Sequence, residues 1–309
     1  MVDLRYHLAS LAAVFVALAV GILLGVAISG KISDASDSAS QARIADLGRQ
    51  LENERGRIQS AVERGAAGEN VVLSAYPVLM ENRLAGKHIA VVFIGSVDTG
   101  LRPAIEQTLL DTDAGRPVRM IALDLPLDAQ RFEKFLRGKK DLASYSGDDD
   151  YSDLGRDLGR EFGLGGQTPL WNALSSELVL QRAPGSSATP ADGVVVVRSW
   201  VPPAETAERV PPSVEATTTL VAGLLDGLQS TNKPTVGVEN SDEPKVASAI
   251  PLYQQRGISS VDDLDLLYGR IALGDLLAGG EPGHYGLKDT AQAVTPVLTP
   301  VQPDQGGNS

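Results

Sequence analysis

The sequence predicts an α/β protein carried on a membrane anchor. It has an N-terminal transmembrane helix, a short coiled-coil stalk and a Rossmann-like, mostly parallel sheet domain. Three observations predict this. Residues 8–28 carry no charge. Residues 31–68 are polar, with sparse apolar positions at helical spacing. Beyond residue 86, continuous apolar runs alternate with helical patterns, the signature of a parallel sheet covered by helices.

The anchor comes first. Leu8 to Ile28 contains a single hydroxyl, Ser10. As a helix it spans about 30 Å, the thickness of a hydrocarbon core. A buried core helix of this length is rarely apolar all round. A cleaved signal peptide is the stronger competitor, since Ala27-Ile28-Ser29-Gly30 loosely resembles a cleavage site. However, the apolar run exceeds the signal-peptide core of about 7–15 residues. An uncleaved signal anchor over residues 8–29 is the expectation, after a cytoplasmic tail of residues 1–7. Arg5 precedes the span, and Lys31 and Arg43 follow it, so positive charge does not settle the topology. A short inner tail and a large outer domain is the simpler arrangement. Ala9, Ala13, Ala17, Gly21, Gly25 and Ser29 recur every four residues. Ala13, Ala17, Gly21 and Gly25 are the candidates for helix association in the membrane, because small residues let two backbones approach closely. The alternative is chance alignment of residues common in such spans.

In the stalk, Ile44, Leu47, Leu51, Ile58 and Ala61 fit the a and d positions of a heptad, with Glu54 at the intervening d. This predicts a short, imperfect coiled coil, with Ile44, Leu47, Leu51 and Ile58 as its contact residues. The i,i+4 charge spacings add no opposite-charge pair, so the apolar seam is the support. A lone amphipathic helix is the alternative. Gly48, Gly56 and Gly65 each cost about 1 kcal/mol in a helix and suit a weak or switchable stalk.

Residues 86–295 form the predicted extracytoplasmic domain. His88 to Gly95, Pro117 to Asp124, Gly193 to Trp200 and Pro234 to Glu239 read as strands buried on both faces. Leu101 to Thr112, Ala129 to Arg137, Val214 to Leu228 and Glu243 to Arg256 read as the helices between them. Ser260 to Asp262 reads as a fifth strand, and Gly269 to Leu277 as a closing helix. Residues 141–192 interrupt the alternation and are expected to be a helical insertion or cap, with Pro169 to Leu180 as one of its helices. Residues 296–309 are rich in Pro, Gln and Gly and are expected to be disordered.

Composition narrows the chemistry. The net charge is −12, which disfavours nucleic acid and anionic lipid as partners of the bulk domain. There is no Cys, which excludes disulfides, thiolate metal sites and cysteine nucleophiles. Ile94 to Gly100 matches neither the dinucleotide fingerprint nor the phosphate loop and reads as a tight turn. Asp148, Asp149, Asp150, Asp153 and Asp157 lack the spacing of a calcium loop and read as a solvated helix start. His7, His88 and His284, with Met1, Met80 and Met120, form no recognisable copper motif. Glu239 to Glu243 follows the fourth strand and either faces the crevice or caps the next helix, with Ser241 or Asp242 as N-cap. Gly279 to Gly286 holds four glycines in eight residues. Its His284 and Tyr285 are candidates for partner binding, a packed turn being the alternative. No residue is assigned to catalysis, cofactor or metal, and a non-enzymatic protein is expected.

Ser10 to Gly21 resembles the membrane anchor of the MctB copper-transport family, whose members are also described as SteB, a cell-separation protein. The stalk, the Val194–Val197 strand, Val261-Asp262-Asp263-Leu264-Asp265 and the Gly279–Gly286 segment recur in the same order, so the resemblance covers nearly the whole chain. It implies two functions. One is copper homeostasis by export through the envelope, with copper as the ion handled. The other is a membrane scaffold that pairs with a partner resembling SteA and helps control peptidoglycan hydrolases during cell separation. One apolar span and an α/β domain do not make a solo pore. The reading preferred from sequence is therefore the scaffold, as a homodimer or a heteromer joined through anchor and coiled coil. Copper transport is the alternative, and a small-ligand-binding Rossmann-like domain the second alternative.

Overall fold

The computed structural model describes residues 18, 21, 22, 43, 46–61, 63–147, 150–183, 189–203 and 210–298. The chain divides into two compact units, Met1–Asn70 and Val71–Ser309.

In the first unit, residues 46–61 and 63–70 are helical. Leu47, Leu51 and Ile58 are 62%, 55% and 62% exposed. Asp46 pairs with Arg49 at 3.2 Å and Glu54 with Arg57 at 2.8 Å, both at i,i+3. The stalk therefore does carry opposite-charge pairs; the i,i+4 spacing considered above misses them, because i,i+3 side chains are also neighbours on a helix. Leu18, Gly21 and Ile22 are helical and exposed. The rest of the expected anchor, including Ala13, Ala17 and Gly25, lies outside the described residues, as does Ile44 of the seam. Among the described residues no helix is long and apolar enough to cross a membrane.

The second unit is a mixed α/β domain. It opens with helix α1 (residues 71–80). The strands are β1 (Ile89–Ile94), β2 (Arg119–Leu123), β3 (Val179–Arg182), β4 (Gly193–Arg198), β5 (Thr235–Val238), β6 (Ser259–Val261) and β7 (His284–Tyr285). They form one sheet in the order β3-β2-β1-β4-β5-β6-β7. All pairings are parallel except β2 with β3. The helices are α2 (Leu101–Asp111), α3 (Ala129–Arg137), α4 (Asp150–Leu164), α5 (Pro169–Ala173), α6 (Ser175–Leu178), α7 (Pro212–Gln229), α8 (Ile250–Gln255) and α9 (Leu267–Ala278).

Alternation along each strand feeds two cores. Ala90, Val92, Ile121, Val194 and Val196 face α3, α4 and α7. Val91, Phe93, Met120, Val195 and Val236 face α2 and α9. Helix α1 docks through Tyr76 and Met80 onto Ile271 of α9, and Tyr76 Oη donates to Asp111 of α2 at 2.7 Å.

Three expectations change. Residues 141–192 are not wholly helical: Val179 to Arg182 extend along β2 as the antiparallel edge strand. Nor is the segment an added cap, since Leu154, Leu158, Phe162 and Trp171 complete one of the two cores. The helix expected at 243–256 begins only at Ile250. Pro244 disfavours helix in the residue before it, and Glu239 draws the chain in by accepting from Ala249 N at 2.9 Å and from Ser248 Oγ at 2.8 Å. The Gly279–Gly286 segment contains a strand, β7, on the edge of β6.

Candidate functional site: the strand-end loop cluster

A parallel sheet presents the carboxyl ends of its strands on one edge, where ligands of such folds bind. Here that edge gathers the segments after β1, β4, β5, β6 and β7. Each is tied down by a side chain.

After β1, Gly95 turns with φ +110°, and a Cβ there would lie 2.7 Å from Trp200 N. Asp98 Oδ1 then accepts from Gly100 N at 2.8 Å and Leu101 N at 2.7 Å. Amides at a helix N-terminus are the usual phosphate cradle. In this domain a carboxylate of the chain itself fills that position on α2.

After β4, Arg198 Nη2 donates to the carbonyls of Ala247 and Ser248 at 2.8 and 2.9 Å. After β5, the buried Glu239 holds Ser248 and Ala249, and Lys288 Nζ pairs with it. Lys288 also donates to the Asn240 carbonyl at 3.2 Å. After β6, Asp262 Oδ1 accepts from Leu287 N at 2.8 Å. Asp265 accepts from Ser241 N and Ser241 Oγ, both at 2.7 Å. Gly286, with φ +139°, is required here, because a Cβ would collide with the Asp262 carboxylate.

Asp263 differs from its neighbours. It is 0% exposed, and among the described residues no other residue donates to either carboxyl oxygen. Burial, with the charges of Asp262 and Asp265 beside it, pushes its carboxyl up to about 7. Burial also raises Asp262, against the pull of the Leu287 and Lys288 amides.

The structure brings Glu239, Asn240, Ser241, Asp262, Asp263 and Asp265 together at the strand ends; of these, the sequence reading offers only the Glu239–Glu243 segment as facing the crevice. Ser241 is not a helix cap; it is bound by Asp265. His284 is half-buried in β7, its Nδ1 2.9 Å from Ser260 Oγ. Burial lowers its pKa. Tyr285 is 5% exposed and lies in the core shared with α9, with Oη donating to the Glu281 carbonyl at 3.1 Å. Sequence reasoning passes over Lys288, Arg198 and Ser248, the residues that close the cluster. A lone Lys two residues past a glycine turn is the only signal the sequence offers.

The soft donors sit elsewhere. Met80 lies in the α1 contact and Met120 in the core against α2. His88 is exposed, 3.3 Å from Asp192. Among the described residues no group of three or more His, Cys, Asp or Glu could hold a metal ion.

Fold and site together define an open, mostly parallel α/β domain whose strand-end loops are closed by its own side chains. The chain belongs to the MctB family: the family model described as "Copper transport outer membrane protein, MctB" matches residues 1–296. It is similar to proteins named "Copper transporter MctB" from Mycobacterium tuberculosis and Mycobacterium bovis. Each is 27% identical over 335 aligned residues, covering 96% of this chain and 99% of the relative.

Proposed function

We propose that this protein serves copper transport in the cell envelope as a membrane-associated, non-enzymatic component. The observation that carries this reading is the match of residues 1–296 to a copper-transport family. The open sheet supports a particular division of labour. Among the described residues its edges, β3 and β7, are not joined, whereas a sheet that spans lipid must close on itself. The α/β domain is thus the aqueous, protein-binding part, and the conduit is formed with other copies or another membrane protein. The anchor at residues 8–29 tethers it, and the N-terminus is cytoplasmic.

The test is deletion of the gene in its own host. Cell-associated copper and copper tolerance are measured, with complementation by the full-length chain. Altered copper content restored by the full-length chain is expected. Unchanged content and tolerance overturn the reading.

One observation favours a second reading, a scaffold for cell separation. Leu47, Leu51 and Ile58 expose a heptad-spaced seam suited to pairing with a second copy or a SteA-like partner. That reading predicts chains of unseparated cells and altered sensitivity to peptidoglycan hydrolases in the same strain, with copper unaffected.

A further inference from the structure

The chain from Asp262 to Asp265 forms the corner between β6 and α9, and three carboxylates sit on it. Asp262 holds the amides of Leu287 and Lys288. Asp265 holds Ser241. Asp263 is buried between them, and among the described residues no other residue donates to its carboxyl oxygens. On the α9 side Gly269 packs so closely on Asp263 that a Cβ would meet its carbonyl and its Oδ1. The charged groups around it are Asp262 and Asp265 on the corner, Glu239 after β5, Lys288 after β7 and Arg270 on α9. Lys288 is committed to Glu239. Arg270 Nε is directed at the Leu264 carbonyl, 3.5 Å away.

We propose that this corner is a proton-controlled latch. It holds residues 286–288 against the ends of β5 and β6 while the Asp263 carboxyl carries a proton, and releases them when that proton leaves.

The physical reason is the asymmetry of burial. A neutral carboxyl is tolerated in this site, whereas an ionised one is buried beside two other carboxylates, and the weaker pull of Lys288 and of the Asp263 backbone amide does not offset this. Opening the corner returns the charge to water. The segment that must move is short. The Leu287 and Lys288 amides donate to Asp262, and Lys288 Nζ pairs with Glu239 and donates to the Asn240 carbonyl. Gly286 N donates to the Ala293 carbonyl, a bond that moves with the segment or breaks. Its release uncovers Glu239 and Asp262, so the strand-end edge becomes more anionic when open. The sign follows from linkage. The closed corner binds a proton up to about pH 7, and the open corner only up to the ordinary aspartate value of about 4. Closure is therefore strongest in acid. It weakens as pH rises between these values and is constant above them.

Hydrogen exchange of the Leu287 and Lys288 amides tests this in the full-length chain between pH 5 and 8. In the wild type the opening constant, corrected for intrinsic exchange, rises several-fold per pH unit up to about 7 and then levels. In Asp263→Asn, which keeps the shape without the charge, that slope disappears. The Val92 amide in the sheet centre reports global opening and stays protected throughout. Equal slopes in the two proteins, or parallel loss of protection at Val92, overturn the proposal. A second measurement stands apart from the variant. The carbon-13 shift of the wild-type Asp263 carboxyl should titrate near neutrality together with amide opening. A midpoint in the ordinary carboxylate range refutes the latch.

Discussion

Arg83 and Asp275 pair directly with side-chain exposures of 4% and 0%. Both charges have left water, and the pairing offsets part of that loss. Arg83 Nε also donates to the Leu79 carbonyl of α1 at 2.8 Å, so this one side chain ties α1 to α9. Arg83→Ala takes the cationic partner from a buried carboxylate and a tie from α1, with an expected loss of about 3–5 kcal/mol. That is a large share of the roughly 5–15 kcal/mol that holds a domain together. Urea denaturation of the full-length chain measures it, and a loss below about 1 kcal/mol, the ordinary mutational mean, contradicts the assignment. Replacing both partners by apolar residues of similar volume should recover most of the loss. Nothing in the sequence marks this pair, whose members lie 192 positions apart. Glu239 is more legible, because an acidic residue directly after an apolar strand stands out, whereas Asp262 to Asp265 enter the sequence reading only through the family resemblance. What remains hidden is their use: each carboxylate but Asp263 grips a loop, and loop closure depends on tertiary placement.

Helices α4 and α7 show how an element can be located correctly and understood incorrectly. Gly155 and Gly159 of α4 look like punctuation when the helix is considered alone, since each costs about 1 kcal/mol of propensity. In the fold they face Gly223 and Gly227 of α7. A Cβ on Gly159 would collide with the Leu224 carbonyl, and one on Gly227 with the Arg156 carbonyl. The glycines bring the two backbones into contact. Gly159→Ala should therefore lower stability by about 1–3 kcal/mol, the overpacking cost, despite the better helix former. Gly48 is the control. A Cβ there meets nothing within 4 Å, so Gly48→Ala should raise helix stability by up to about 1 kcal/mol. Thermal melts of the two variants give opposite signs if the contact is real and the same sign if it is not. The strands missed from sequence, β3 and β7, have four and two residues. Segments so short at a sheet edge carry no usable period of two. The long central strands were legible because burial on both faces leaves unbroken apolar runs.

At the scale of the whole molecule, the alternation of strand and helix fixes a parallel sheet with a core on each face, and the sequence suffices for that. Self-association is a different kind of property. It depends on surface that the folded chain leaves open. Leu47, Leu51 and Ile58 are such surface, and their spacing suits a parallel coiled coil with d positions facing each other. The absence of Cys from the whole sequence makes the question simple to pose, because each introduced thiol reports only on itself. Leu47→Cys places a sulfur at a d position, where two copies bring their Cβ atoms within disulfide range. Arg49→Cys places one on the outer face of the same turn. Under mild oxidation of the full-length chain in membranes, Leu47→Cys should yield a covalent dimer and Arg49→Cys should not. Cross-linking at both positions points to random collision, and cross-linking at neither removes the parallel homodimer and leaves the heteromer. Leu51→Asp in the Leu47→Cys background completes the argument. A carboxylate in the neighbouring a layer should abolish the cross-link without touching the sulfur, because a dry seam does not accept two facing charges.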